Sequence, residues 1–366
     1  MRSKQTLAQC TTPCLWRHLK LICITWLGLG NLLVASNQDF RPGKEWLDTQ
    51  GRSIQAHGGG ILFHGEFYYW YGEDKDGPTR RDGACGARVE AKGIAAYRSK
   101  DLYNWEPLGL VLSSVNDSAN HDLHPSKVIE RPKVLYNSST KKFVMWFHVD
   151  DKNYKVARVG TAIADQPEGP FQYLGSQRPN GNESRDMTLF QDDDSSAWLI
   201  HSSEDNKTMH IVPLSKDYLR VDGPSIRVFA GRKMEAPALF KHNNQYHFIA
   251  SGCSGWAPNA ARSAVAGNIS GPWIEHKNPC VGEKSKTTFD GQSTFVLPIK
   301  GKAGQFIFMA DQWNMKDLGA SRYVWLPITF NSDGTQRIEW QDSWDLSWFK
   351  INQLRATSSS EDKLGK

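Results

Sequence analysis

Five times along this chain, at positions 61, 134, 189, 239 and 295, an apolar residue leads through a short polar or Gly-containing turn into a run crowded with aromatics. Residues 61–71, 134–147, 189–200, 239–249 and 295–308 each read as a β-hairpin, because β-branched and aromatic residues alternate with period two on both sides of the turn. Weaker strand pairs follow, such as residues 93–97 with 104–108, 160–164 with 169–173, and 263–266 with 271–274. Four short strands recurring at this interval is the size of a propeller blade, and five blades close a ring. A β-sandwich with chance similarity among its hairpins is the competing fold. The blades run over about 54–112, 128–173, 187–221, 236–274 and 292–340, with a long Asp-, Gly- and Arg-rich insertion at 73–89 in the first. Long insertions in compact repeats tend to carry function.

The chain divides into residues 1–38, a tail with a signal anchor or signal peptide; 39–53, a connector whose Trp46 packs on the first blade; 54–350, the propeller; and 351–366, a polar tail. Arg2, Lys4, Arg17 and Lys20 precede the uncharged stretch 21–38, which orients the N-terminus to the cytosol and sends the rest across the membrane. The small residues Val34, Ala35 and Ser36 suit signal-peptide cleavage, whereas the long basic region suits an uncleaved anchor. A type II Golgi membrane protein and a secreted one both fit, and both expose the propeller to glycosylation. Sequons at Asn116, Asn137, Asn182, Asn206 and Asn268 all follow the apolar stretch. In such an oxidising compartment Cys253 and Cys280 are expected to pair, leaving Cys85 free.

With 39% hydrophobic residues the chain buries a large core without a disulfide scaffold. Most of its 14 Trp belong to that core, and others suit stacking on sugar rings. A net charge of +5 spread along the sequence, with no basic helix, speaks against nucleic acid as a partner. No zinc spacing is present. His121, Asp122 and His124 read as a hydrogen-bonded loop, and Asp192, Asp193 and Asp194 as a solvated turn. No cofactor is required, a structural ion in the channel is conceivable, and a monomer is expected.

In a propeller the innermost strand of each blade lines the central channel, so residues at its start converge. Those starts carry Gln55 and His57, Glu130 and Arg131, Arg185 and Asp186, Glu235, and Asp290 and Gln292. Glu130, Asp186 and Glu235 around one pocket are the equipment for splitting a glycosidic bond: a protonated acid for the leaving oxygen and a group to activate water. Crowding of like charges raises one carboxyl pKa and keeps it a donor.

The segments His57-Gly58-Gly59-Gly60, Glu130-Arg131-Pro132, Ser184-Arg185-Asp186-Met187, Met234-Glu235-Ala236-Pro237, Ser254-Gly255-Trp256-Ala257-Pro258-Asn259 and Gly291-Gln292-Ser293 resemble glycoside hydrolase family 43, in its exo-β-1,3-galactanase (galactan 1,3-β-galactosidase) branch. The resemblance spans about residues 46–350. It implies a five-bladed propeller that releases galactose from β-1,3-galactan, the arabinogalactan backbone, with inversion. Glu235 resembles the family's general acid, Asp186 the carboxylate that tunes it, and Glu130 a sugar-binding carboxylate. Blade one departs from most of the family by lacking an aspartate base. In the galactanase branch a glutamine matching Gln292 is the unusual base, acting as an imidic tautomer or by positioning water; Glu130 is the alternative. His57, Glu73, Arg131, Tyr154, Ser254, Trp256 and Asn259 fall in motifs or loops at the same rim and are expected to bind substrate, with Trp256 stacking on a galactose face. An α-L-arabinofuranosidase or β-xylosidase of the same family, and a sugar-binding propeller without catalysis, are the rival readings.

Overall fold

A computed structural model of the chain describes residues 36–83 and 86–351. The N-terminal stretch up to residue 35, on which the anchor or signal-peptide expectation falls, residues Ala84 and Cys85, and the tail from residue 352 lie outside the described residues. Four four-stranded antiparallel sheets and one five-stranded sheet form the five blades of a propeller. The innermost strands are His57–His64, Val128–Asn137, Met187–Gln191, Met234–His242 and Gln292–Pro298. Each contacts the next in order, and the fifth returns to the first.

The blades reach further than the hairpin pattern foretells. Blade three takes Ile226–Val228 as its outer strand. Blade five gains Cys280–Val281, which pairs in parallel with Gln336–Glu339. The insertion of blade one folds into its own two-stranded hairpin, Arg80–Gly83 with Gly86–Arg88. Aromatics fill the seam between blades one and five: Trp70, Trp105, Trp325 and Trp344 are buried with Phe40, and Trp46 packs beside Trp70. Phe40 and Trp344 exchange backbone hydrogen bonds, which ties the start of the described chain to its end.

One backbone device recurs where the innermost strands begin. The strand register slips between His57 and Gly60, between Glu130 and Lys133, between Glu235 and Ala238, and between Ser293 and Phe295. Gly58, Arg131 and Ala236 take left-handed φ values of 59°, 57° and 54° in the first three slips. A bulge of this kind re-aims the side chain beside it, and it tolerates proline because the local ladder is already interrupted. Pro132 and Pro237 sit in two of them. Glu130, Arg131, Glu235 and Gln292 beside these slips line the hub cavity, whereas His57 turns to Asp311.

The glycine run lets other groups approach closely. A β-carbon on Gly58 would lie 2.3 Å from Glu73 Oε1, and one on Gly60 2.5 Å from Lys133 Cδ. Lys133 is buried and donates from Nζ to the carbonyls of Gly58 and Arg131, at 2.9 and 3.4 Å. Burial, then the nearby Arg131 charge, brings its pKa down to about 7.

Candidate active site

Arg131 is the keystone of the hub. Its backbone N–H donates to Glu73 Oε1 of blade one at 3.0 Å, and Nη1 donates to the Ser293 carbonyl of blade five at 3.1 Å. Nη2 lies 2.6 Å from Gln292 Oε1 and 3.1 Å from Asp186 Oδ2. A planar guanidinium suits such a multi-point role better than an ammonium. Asp186 Oδ2 also accepts from the Ala236 N–H at 2.9 Å, so blade three grips the bulge that aims Glu235.

Glu235 and Glu130 occupy opposite electrostatic settings. Burial, reinforced by the Asp186 charge, pushes the Glu235 carboxyl up to about 8. Burial works on Glu130 in the same sense, yet His148, Lys75 and Tyr154 outweigh it and bring Glu130 down to about 2. Tyr154 donates its hydroxyl to Glu130 Oε1 at 2.9 Å, and His148 Nδ1 stands 3.3 Å from Oε2. The other His148 nitrogen lies 3.0 Å from Asp150 Oδ2. Burial would lower the His148 pKa, but its two carboxylate neighbours raise it to about 9. At neutral pH Glu235 is therefore a protonated carboxyl and Glu130 a carboxylate, the pairing that glycoside hydrolysis uses.

Gln292 spends every hydrogen-bonding position on protein. Its oxygen accepts from Arg131 Nη2 at 2.6 Å and from Trp313 Nε1 at 3.0 Å. Its nitrogen donates to Glu235 Oε1 at 3.1 Å and to Ser251 Oγ at 3.2 Å. Arg and Trp nitrogens can only donate, so the amide orientation is fixed.

A cavity of about 180 Å³, room for one hexose ring, lies over these groups. Glu73, Glu130, Arg131, Tyr154, Asp186, Glu235, Trp256 and Gln292 line it as expected. Glu73 is buried and reaches Lys75 Nζ at 2.6 Å, so it braces the wall. Trp256 and Trp313 meet edge to face, with ring centres 5.3 Å apart.

Four expectations are corrected. His57 is fully buried, 3.0 Å from Asp311 Oδ1 and stacked on Tyr323, and it does not line the cavity. Ser254 and Asn259 also stand back from it. Asn259 bonds Gly252 N, Gly252 O and Ser254 Oγ at 2.7, 2.9 and 2.6 Å, so the pair braces the loop that presents Trp256. Cys253 and Cys280 are both free thiols. Cys253 sits beside Glu235 at the hub end of blade four, whereas Cys280 is buried in the outermost strand of blade five. The sequon residue Asn137 is buried, its Nδ2 donating to the Lys216 carbonyl at 2.7 Å, which leaves a glycan no room there.

Sequence reasoning did not single out His148, Trp313 or Lys75 as site residues, it placed Arg185 at a strand start without a role, and it took Asn206 only for a sequon. Asn206 lines the cavity, with Nδ2 3.4 Å from Glu235 Oε2. Glu130, His148 and Asp186 bring potential metal-ligand atoms within 4.8 Å of one another. His148 is held as an imidazolium between carboxylates and so lacks a lone pair for a metal, and Asp186 is committed to Arg131.

Residues 61–336 match the family described as Glycosyl hydrolases family 43. A β-1,3-galactosidase of that family, solved with galactodeoxynojirimycin, is 42% identical, with a TM-score of 0.78 over 84% of this chain and 100% of that one. An exo-β-1,3-galactanase from Phanerochaete chrysosporium, solved with β-1,3-galactotriose, is 38% identical, with a TM-score of 0.77 over 85% of this chain and 68% of that one. Among curated proteins, a β-D-galactofuranosidase of Aspergillus niger is 27% identical over 222 residues, 55% of this chain and 64% of that protein. A xylan 1,3-β-xylosidase of a Vibrio species is 23% identical over 282 residues, 69% of this chain and 50% of that protein. The chain thus spans between half and two thirds of the length of those two relatives. Matched across most of its propeller and built around the same carboxylate-lined hub that its motifs foretell, this chain belongs to glycosyl hydrolases family 43.

Proposed function

We propose that the chain is an exo-acting galactan 1,3-β-galactosidase that releases terminal galactose with inversion from β-1,3-galactan, such as an arabinogalactan backbone. The observation that carries this reading is the convergence of Glu130, Asp186, Glu235 and Gln292 on a cavity of one-sugar size, whose surroundings push the Glu235 carboxyl up to about 8 and bring Glu130 down to about 2. The named activities of the β-1,3-galactosidase and exo-β-1,3-galactanase relatives supply the sugar and the linkage.

In this mechanism Glu235 gives its proton to the departing oxygen of the penultimate galactose. Water attacks the anomeric carbon from the opposite face and loses its proton to Glu130. Gln292 has no free valence for that water. An imidic O–H on it would face two obligate donors, Arg131 and Trp313. Gln292 is therefore the clamp on the acid, and Arg131 holds Asp186 close enough to keep Glu235 protonated.

Incubating the soluble domain with β-1,3-galactan and with arabinoxylan tests the substrate. Galactose released one unit at a time from the galactan alone, appearing first as the α-anomer by NMR, is the expected result. Arabinose or xylose release would favour the other family specificities, and binding without release would favour a lectin. The basic flank followed by an uncharged stretch, with exposed Asn116 and Asn268 downstream, supports an enzyme delivered to the Golgi lumen or cell exterior. Its N-terminal segment then serves as a membrane anchor or is removed. Protease protection of the propeller in microsomes checks that delivery.

A further inference from the structure

Of the five sequon residues, Asn182 is half-buried, its Nδ2 donating to the Pro179 and Asn180 carbonyls at 3.3 Å, and the other four fall into three kinds. Asn116 and Asn268 are exposed, and a glycan on either would extend into solvent. Asn137 is buried and hydrogen-bonded through both ends of its amide, so a glycan there opposes folding itself. Asn206 is neither. It opens onto the cavity rather than onto packed core, and its Nδ2 is 3.4 Å from Glu235 Oε2. Its Oδ1 is buried with no hydrogen-bond partner.

The loop that carries it has little freedom to turn the side chain away. Glu204, Asp205 and Asn206 hold consecutive left-handed φ values of 54°, 58° and 59°. Glu204 anchors the turn: its Oε1 accepts from Arg227 Nε at 2.6 Å and lies 3.1 Å from His210 Nε2, while Oε2 accepts from Thr208 Oγ1 at 2.8 Å. The Asp205 N–H is bound to Glu183 Oε2 at 2.8 Å. Shifting the backbone that carries Asn206 would break several charge-assisted bonds at once.

We infer that Asn206 is a modification site at which N-glycosylation and hydrolysis exclude each other, so that its occupancy sets the active fraction of chains made in a glycosylating compartment. In the transfer, the Asn206 carboxamide nitrogen bonds to the anomeric carbon of a lipid pyrophosphate-linked oligosaccharide. The lipid pyrophosphate leaves with the electron pair, and one amide proton is lost to a base on the transferase. Transfer acts on the unfolded chain, when Asn206, Lys207 and Thr208 are all accessible. After folding, the first sugar of the glycan starts at an atom in contact with Glu235 and fills the space the substrate needs. This inference rests on the galactosidase reading above.

The test uses the full chain made in a eukaryotic secretory host and in bacteria. Glycopeptide mass spectrometry gives occupancy at Asn206, and titration with a galactose-configured iminosugar gives the fraction of competent sites. The fraction unable to bind should equal the occupied fraction in host-made protein and should be near zero in bacterial protein. Thr208→Val, which abolishes the sequon outside the catalytic groups, should restore full competence in the host. Thr208→Ser, which keeps the hydroxyl for Glu204, should give intermediate occupancy and competence. Bacterial Thr208→Val measures any effect of the substitution itself. Asn206 unmodified in every host-made chain, or occupied chains that bind and hydrolyse as well as unoccupied ones, overturns the inference. Bacterial wild-type protein that releases no galactose from β-1,3-galactan overturns the galactosidase reading instead, whatever the state of Asn206.

Discussion

At the scale of single residues the site depends on which carboxyl keeps its proton. Glu235→Gln removes that proton with little change in shape, so turnover on galactan should fall by roughly two to four orders of magnitude. Aryl galactosides with acidic leaving groups, which need little protonation, should lose much less. Parallel rate measurements on the two substrates check this, and equal losses on both would take Glu235 out of the acid role. Gln292→Glu separates a clamp from a base. A carboxylate at that position keeps its contacts with Arg131 and Trp313 but loses the donor to Glu235 and adds a like charge. Turnover should fall by about a hundredfold or more, and the alkaline limb of kcat/KM should move to higher pH as the Glu235 carboxyl is pushed up further. Wild-type or faster turnover in Gln292→Glu would return the base role to Gln292.

Secondary-structure elements set where those residues point. Asn259 touches no part of the cavity, yet its three bonds hold the loop behind Trp256. Asn259→Ala should raise KM for galactan about five- to tenfold through loss of roughly 1 kcal/mol of loop order, with kcat within a factor of two. Steady-state kinetics decides it; a fall in kcat alone would mean that Asn259 acts on the chemistry. The same scale explains what the sequence could disclose. The hairpin repeat was legible because aromatic alternation survives in every blade, and Glu130, Asp186 and Glu235 were legible because they precede the repeat's first strand. His148 was not. Counting outward from the Asn137–Lys142 pair would set Val149 opposite Glu130, but the bulge shifts the register by one and sets His148 there. A one-residue shift exchanges the faces of a strand, so a partner hidden behind a bulge leaves no periodic trace. His57 misled for a related reason: it shares the hub-start position of the repeat, but its bulge turns it to Asp311 under the floor.

On the scale of the whole molecule, the hub gathers buried charge that evenly spaced surface residues do not, and this ties folding stability to pH. Glu130 is depressed to about 2 from an ordinary value of 4.5, so it stabilises the fold above pH 4.5 and ceases to do so as pH falls to about 2. His148 is raised to about 9 from 6.5, so its contribution is complete below pH 6.5 and is lost as pH climbs through 9. Glu235 is a carboxyl shifted upward, to about 8 from 4.5. The folded chain keeps that proton after the unfolded chain has released it, so the native state loses stability steadily between pH 4.5 and 8. Glu130, His148 and Glu235 together favour the folded state most near pH 4.5. His201 and His247, lowered to about 3 and about 4, and Lys133, lowered to about 7, add stability as pH rises toward 6.5 and from 7 upward, so they offset part of the Glu235 decline. Glu235→Gln cannot ionise and should escape part of that decline, so its melting temperature relative to wild type should rise steadily from pH 4.5 to 8. Calorimetry of both proteins across that range measures the difference. A constant offset would mean that Glu235 is already ionised at pH 5 in the folded protein, and a carboxyl ionised at that pH has no proton left to give the departing sugar near neutrality.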